Sequence, residues 1–377
     1  MARAGQRVLR EDSVPQDRIT VGLLAIAFPR QAVDEAIEAA GAREQRSRML
    51  PAWLTVYFVL ALALYMDMGA SRVMRRLAGA LERAAPGVAV AVPSEEALSN
   101  ARTRLGPVPV RLLFERTAGR LAPPGTPGAS WRGLRLVSLD GTALDCQDTD
   151  ANRAHFGGPS ARGAAGARPH GGLPRARLMV LAECATGALI AALPGAYATG
   201  DETLTAGLLP RLRPGMLALA DCDAAGNQLW RDAAATGADL LWRIGVPCRL
   251  PAGETLADGT RLSALEAPRE LRGAGAHDIA VRVIACRPGG DGQATKRSAL
   301  ITTLLDAEAA PARELADIYR ARWKIETALR ALTPGTKDAG LVLRSRTPLG
   351  AEQEIWALLC AYHAIREMIR AAAALAP

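Results

Sequence analysis

Two apolar runs, Leu136-Val137-Ser138-Leu139 and Leu217-Ala218-Leu219-Ala220, each end on an aspartate, Asp140 and Asp221. Short runs of this kind read as buried strands. Acids are depleted in strands and costly to bury alone, so an aspartate closing a buried strand calls for a cation beside it. The surrounding pattern extends the constraint. Strand-like runs at 134–140, 176–184 and 188–193 precede a helix near 202–212, a strand at 215–220, a helix at 226–236 and a strand at 239–244. Three strands in succession and then alternating helix and strand predict an α/β layer.

That order matches a ribonuclease-H-like layer. Residues 247–310 hold short β-type runs, among them Ala280–Ala285 and Ala299–Leu304, and read as a β-rich insertion. A helix over about 312–332 follows and carries a third acid. At 100° per residue, Tyr319, Arg322 and Glu326 share roughly 60° of arc on one face. Ile318, Ile325, Leu329 and Leu332 form an adjoining apolar stripe suited to packing on a sheet.

Residues 1–120 read as helical, with apolar periodicity at 19–40, a buried helix at 53–66 and a basic amphipathic helix at 71–84. Ser94 predicts an N-cap, Glu95 and Glu96 suit the first turn, and Gly106 stops a helix that carries Arg102 and Arg104. This region has 17 Arg against 12 acids, a net +5. A small basic bundle of this kind binds DNA through Arg102 and Arg104, or else shows a solvated basic face on a structural bundle. The Pro/Gly-rich stretch 121–128 divides an all-α domain, 1–125, from an α/β domain, 126–377.

The net charge of +8 favours a polyanionic partner, and 43 of the 46 basic residues are Arg, whose fork suits phosphate. The six Cys include no C-x-x-C pair and do not cluster with the four His, which argues against zinc and against a disulfide framework. A reducing cytoplasm fits. The longest apolar run, Trp53–Met66, is 14 residues, too short for a bilayer, and the N-terminus has no apolar core of signal type. No membrane association is expected.

If the fold gathers Asp140, Asp221 and Glu326, three carboxylates in one place repel unless a cation neutralises them. Oxygen-only ligation suits Mg²⁺ or Mn²⁺, and two such ions could activate a water or a 3′-hydroxyl and stabilise the leaving oxygen of a phosphodiester. Asp145, Asp148 and Asp223 are further candidate ligands. The Gly-rich stretch Gly157–Gly172, with Arg162 and Arg168, lacks the Lys-Ser/Thr ending of a nucleotide-binding loop and reads as a loop.

The Y-x-x-R-x-x-x-E helix, the Asp-Gly-Thr strand and the Ala-Asp turn together resemble the DDE transposases of the insertion-sequence-four group. The likeness runs from about Asp12 to about Arg366. It is close at Asp148-Thr149-Asp150-Ala151-Asn152-Arg153 and at Leu343-Arg344-Ser345-Arg346-Thr347-Pro348. The resemblance implies Asp140, Asp221 and Glu326 as the metal-binding triad, with Tyr319 and Arg322 on transposon-end DNA. It implies double-stranded DNA, both inverted-repeat ends and target, as the partner of a homodimer. Where the family has a Lys seven residues after the Glu, this chain has Thr333 and then Pro334-Gly335. Arg330 on the same face, or Lys337 just beyond, could supply that cation. Cys222 and Ala224 replace the usual Arg and aromatic after the second Asp. The alternatives to an active transposase are a decayed DNA-binding remnant and a ribonuclease-H-like nuclease without strand transfer.

Overall fold

The computed structural model describes residues 22–44, 46, 49–84, 90–119, 122–123, 125–159, 172–221, 227–245, 250–267, 277–285, 298–322 and 342–375. The longer helices are α1 (Arg30–Ala39), α2 (Ala52–Leu64), α3 (Ala70–Ala84), α4 (Glu95–Leu105), α5 (Val108–Thr117), α6 (Asp150–Phe156), α7 (Asp201–Leu208), α8 (Asn227–Ala235), α9 (Ala312–Ala321) and α10 (Pro348–Leu375). The strands are β1 (Ser130–Trp131), β2 (Leu134–Asp145), β3 (Arg175–Glu183), β4 (Leu189–Ala196), β5 (Met216–Asp221), β6 (Asp239–Gly245), β7 (Arg261–Leu265), β8 (Ile279–Ala285) and β9 (Ser298–Thr302). They form two units, Met1–Thr117 with Glu352–Pro377, and Ala118–Ala351.

In the helical unit, every residue of α2 from Leu54 to Leu62 is buried, as befits a helix apolar on all sides. No helix among the described residues is long and apolar enough to cross a membrane. Ser94 caps α4 as its sequence predicts, its hydroxyl accepting the Ala97 N–H at 3.2 Å, and Gly106 closes the helix at φ 67°. Such a cap contributes about 1 kcal/mol. The unit departs from the linear division at residue 125, because most of α10 belongs to it. The amide of Gln353, buried among these helices, donates to the carbonyls of Arg102 and Gly106 at 3.0 and 2.7 Å. The Arg102 carbonyl also accepts the capping Gly106 N–H at 3.1 Å, so Gln353 supplements the C-terminal cap of α4. The Trp356 ring lies 5.7 Å from that of Phe114 on α5.

In the second unit the strand order is β4-β3-β2-β5-β6-β9-β8-β7, with β1 paired to β2. β2, β3 and β4 run antiparallel, whereas β5 and β6 continue parallel to β2. With α7 leading into β5 and α8 into β6, this is the ribonuclease-H-like arrangement. The insertion expected at 247–310 supplies β7, β8 and β9, and β9 pairs antiparallel with β6. Its described strands lengthen the same sheet.

Side chains alternate between faces along a strand, which sorts the apolar residues into two layers. Val137, Leu139, Ala218, Ala220, Leu240 and Trp242 form one layer together with α7 and α8, where Trp230 meets Trp242 edge-on at 5.0 Å. Leu136, Leu217, Leu219 and Leu241 form the other, against Leu315, Ile318 and Tyr319 of α9. By the same alternation Asp140, Asp221, Arg243 and Arg282 share the face that α9 covers.

Two grips fix the start of α9. Glu314 accepts from the indole of Trp131 at 2.8 Å and from Arg132 at 3.0 Å. Arg282, fully buried, donates to the carbonyl of Ala310 at 2.6 Å, to Thr260 at 2.8 Å and to the carboxylate of Asp258.

Candidate active site

The parallel register of β2 and β5 pairs Leu139 with Ala220, so Asp140 and Asp221 follow at the same step on neighbouring strands. Asp221 ends β5, whereas β2 runs on to Asp145. Asp140 follows the last β2 residue paired with β5, at the carboxyl edge of that parallel pair, where open α/β sheets bind ligands. The sequence brings them there because the apolar run of each strand ends at this step.

Two arginines meet the pair. Arg322, immediately after α9, places Nη1 3.4 Å from Asp140 Oδ1 and Nη2 3.4 Å from Asp221 Oδ2. Its side chain is only 7% exposed, so little water screens these contacts. Arg243 stands opposite Asp221 in the β5–β6 register. Its Nε donates to Asp221 Oδ1 at 3.0 Å and its Nη2 to Oδ2, a two-point fork. The Tyr319 hydroxyl donates to the carbonyl of Ala220 at 3.3 Å, on the residue before Asp221. Burial pushes the pKa of this phenol well up, with a smaller opposing pull from Arg322, whose guanidinium lies 5.7 Å from the ring centre. The hydroxyl is therefore a proton-bearing donor throughout the physiological range.

Of the residues expected at the site, the fold brings Asp140, Asp221, Tyr319 and Arg322 together. Glu326, Arg330, Lys337 and Thr333 lie outside the described residues, as do Cys222, Asp223, Ala224 and the loop arginines Arg162 and Arg168. Arg102 and Arg104 have partners inside the helical unit. Arg102 donates to Gln353 at 3.1 Å and Glu354 at 3.0 Å, and Arg104 to Glu44 and the Leu50 carbonyl, both at 3.1 Å. Asp145 is held by Arg175 at 2.6 Å and Asp148 by Arg153 at 2.5 Å. Arg243 was not expected. Its signal is a charged residue inside the buried run Leu240–Ile244, which needs a counter-ion as much as the aspartates do.

The profile of the family described as Transposase DDE domain matches residues 131–363. The chain belongs to that family. The profile of the insertion element 4 transposase N-terminal region matches residues 18–115. Over 355 residues the chain is 28% identical to the transposase InsG of insertion sequence element IS4 from Escherichia coli K12, covering 90% of this chain and 75% of that protein. A likeness to the piggyBac transposase synaptic complex with hairpin DNA covers 96% of this chain and 78% of the other, at 10% identity and a TM-score of 0.49. This DDE transposase is thus an insertion-sequence enzyme that cleaves DNA and transfers strands, within a family that uses divalent metal ions.

The described part of the site fits such an ion. Its donors are carboxylate oxygens alone, the ligands hard divalent cations prefer. The Arg322 guanidinium also reaches both carboxylates, so a positive charge already bridges them. Among the described residues no three acids, His or Cys converge.

Proposed function

We propose that Asp140, Asp221 and Glu326 form the metal-binding triad of this transposase, and that Mg²⁺ or Mn²⁺ is the ion held. The observation that carries this reading is the Asp140–Asp221 pair, set at one step on parallel neighbours and bridged by Arg322. When bound, the metal would supply Lewis-acid activation of a water or hydroxyl against a phosphodiester. The protein's own residues do the remaining work. The two strands fix the carboxylates in register, and Arg243 holds Asp221 in one plane. Tyr319 ties the end of β5 to α9, and Arg322 offers its fork to a phosphate oxygen of the DNA end.

The substrate we infer is double-stranded DNA, as inverted-repeat ends and then as target, bound by a homodimer in the bacterial cytoplasm. Lys337, or Arg330 where it stands in for the Lys replaced by Thr333, is inferred to contact the same DNA. Arg72 and Arg75 on α3 are exposed and support phosphate contact by the helical unit better than Arg102 and Arg104, whose guanidiniums already have carboxylate partners.

Asp140→Asn, Asp221→Asn and Glu326→Gln each remove charge with little change of shape. Each is expected to abolish metal-dependent cleavage of a DNA end while gel-shift affinity persists, and the losses should not add, because ligands act as a unit. Cleavage at wild-type rate in all three variants would remove the triad.

A further inference from the structure

We propose that Arg243 and Arg322 form a cationic latch on Asp140 and Asp221, which weakens divalent-metal binding until a DNA phosphate draws a guanidinium away. This rests on the reading of the two aspartates as metal ligands. Two guanidiniums stand against two carboxylates, so these four side chains together carry no net charge. Both oxygens of Asp221 accept from Arg243, and Oδ2 lies 3.4 Å from Arg322 Nη2 as well. A divalent ion approaching the pair meets two positive charges within a few ångströms, in a pocket where Arg322 is nearly excluded from water. At close range and modest effective dielectric this repulsion is large.

The two arginines differ in how firmly they hold. Arg243 grips Asp221 with a short fork from a strand of the sheet, whereas Arg322 reaches both acids at 3.4 Å from the end of a helix. A buried guanidinium does not leave its anions for an empty pocket, but it exchanges one oxyanion for another at low cost. A phosphodiester offers such an oxyanion in the geometry a guanidinium fork prefers. As the cation turns toward phosphate, the carboxylates regain their negative field. Metal and DNA then favour each other's binding, and by linkage the effect is the same in either order. The latch would keep the enzyme poorly loaded with metal while it is off DNA.

The test is a Mn²⁺ titration of the full-length protein, with free Mn²⁺ followed by electron paramagnetic resonance, so that no catalysis is read. Without DNA, Arg243→Met should bind Mn²⁺ at least about tenfold more tightly than wild type, since one neighbouring positive charge is gone. Arg243→Gln, polar and of similar reach, should do the same, and Arg243→Lys, which keeps the charge, should stay near wild type. Circular dichroism melting checks that each variant is folded. A short duplex of arbitrary sequence at low salt, where phosphate contacts dominate, should tighten Mn²⁺ binding in wild type and less so in Arg322→Met, which lacks the cation that turns to phosphate. Neutral variants that bind Mn²⁺ no better than wild type without DNA overturn the latch. Asp221→Asn in the same titration separates the two readings. Lost binding there, with Arg243→Met unchanged, removes the latch alone. Unchanged binding in Asp221→Asn removes the metal assignment beneath it.

Discussion

Thr333 stands seven residues after Glu326, where a long cation on the Tyr319–Arg322–Glu326 face would reach DNA lying across the metal site. Pro334-Gly335 follows at once in the sequence, a pair that disfavours continued helix. Thr333→Lys is expected to raise cleavage of a DNA end, measured in a single-turnover gel assay, with Arg330→Ala silent. If Arg330 already supplies the cation, the pattern reverses. Arg330→Ala then weakens end binding by about tenfold, the worth of one charge-assisted hydrogen bond. At this scale the sequence was readable wherever a charge interrupts an apolar run. Asp140 and Asp221 could be singled out because each closes a buried apolar run, although β2 itself runs on to Asp145, and Arg243 obeys the same rule from inside one. What could not be read is pairing. Nothing near Arg243 in the chain points to Asp221, because their meeting depends on β5 and β6 lying side by side. Arg102 shows the converse: a basic helix end resembles a DNA contact until the carboxylate 252 positions away is seen beside it.

Among the elements, α9 matters most to the site because it delivers Tyr319 and Arg322. Arg282 anchors its approach by donating to the carbonyls of Ala310 and Asp306 while paired with Asp258. Arg282→Met leaves the Ala310 and Asp306 carbonyls without their donor, at a cost of about 1–3 kcal/mol for unsatisfied buried acceptors, while the partly exposed Asp258 carboxylate is solvated by water. Hydrogen exchange should then rise across 306–321 with β2 and β5 still protected, and cleavage should fall. Uniform exchange over the whole sheet would instead mean general unfolding. Glu314 makes the second grip, and its bonds from Arg132 and Trp131 hold the carboxyl below its usual pKa. A depressed folded-state value gives stability that is present above the unfolded pKa, about 4.3, and is lost as pH falls through the depressed one. Glu314→Gln should therefore lower the melting temperature slightly at neutral pH and leave it almost unchanged at low pH, which flattens the acid limb of the profile. The alternation of helix and strand made β2 to β6 predictable, and Ser94 with Gly106 fixed the ends of α4. The insertion strands were visible as β-type runs. Their joining the edge of β6 was not, since short runs such as Ala299–Leu304 pair equally well with any open edge.

For the whole molecule, the division at the Pro/Gly-rich stretch missed the return of the C-terminal helix. α10 is apolar enough to be recognised as a helix, but its partner helices lie more than two hundred residues upstream. A protein ending at Ala351 keeps the entire sheet unit and loses Gln353, Trp356 and Cys360 from the helical core. Such a truncation is expected to lower the melting temperature of the helical unit and to weaken salt-dependent DNA binding in gel shifts, with the sheet's near-ultraviolet dichroism retained. Adding residues 352–375 back in trans as a peptide should restore part of both. The same connectivity dictates an order in time. During synthesis α1 to α5 leave the ribosome first, yet the carbonyls at the end of α4 wait for Gln353 and the Phe114 ring waits for Trp356. The intervening strands have all been made by then and can pair with one another. Contacts spanning some 250 positions are slow to form, because a long loop must close before they give any return. The part of the chain translated first is thus among the last to finish folding.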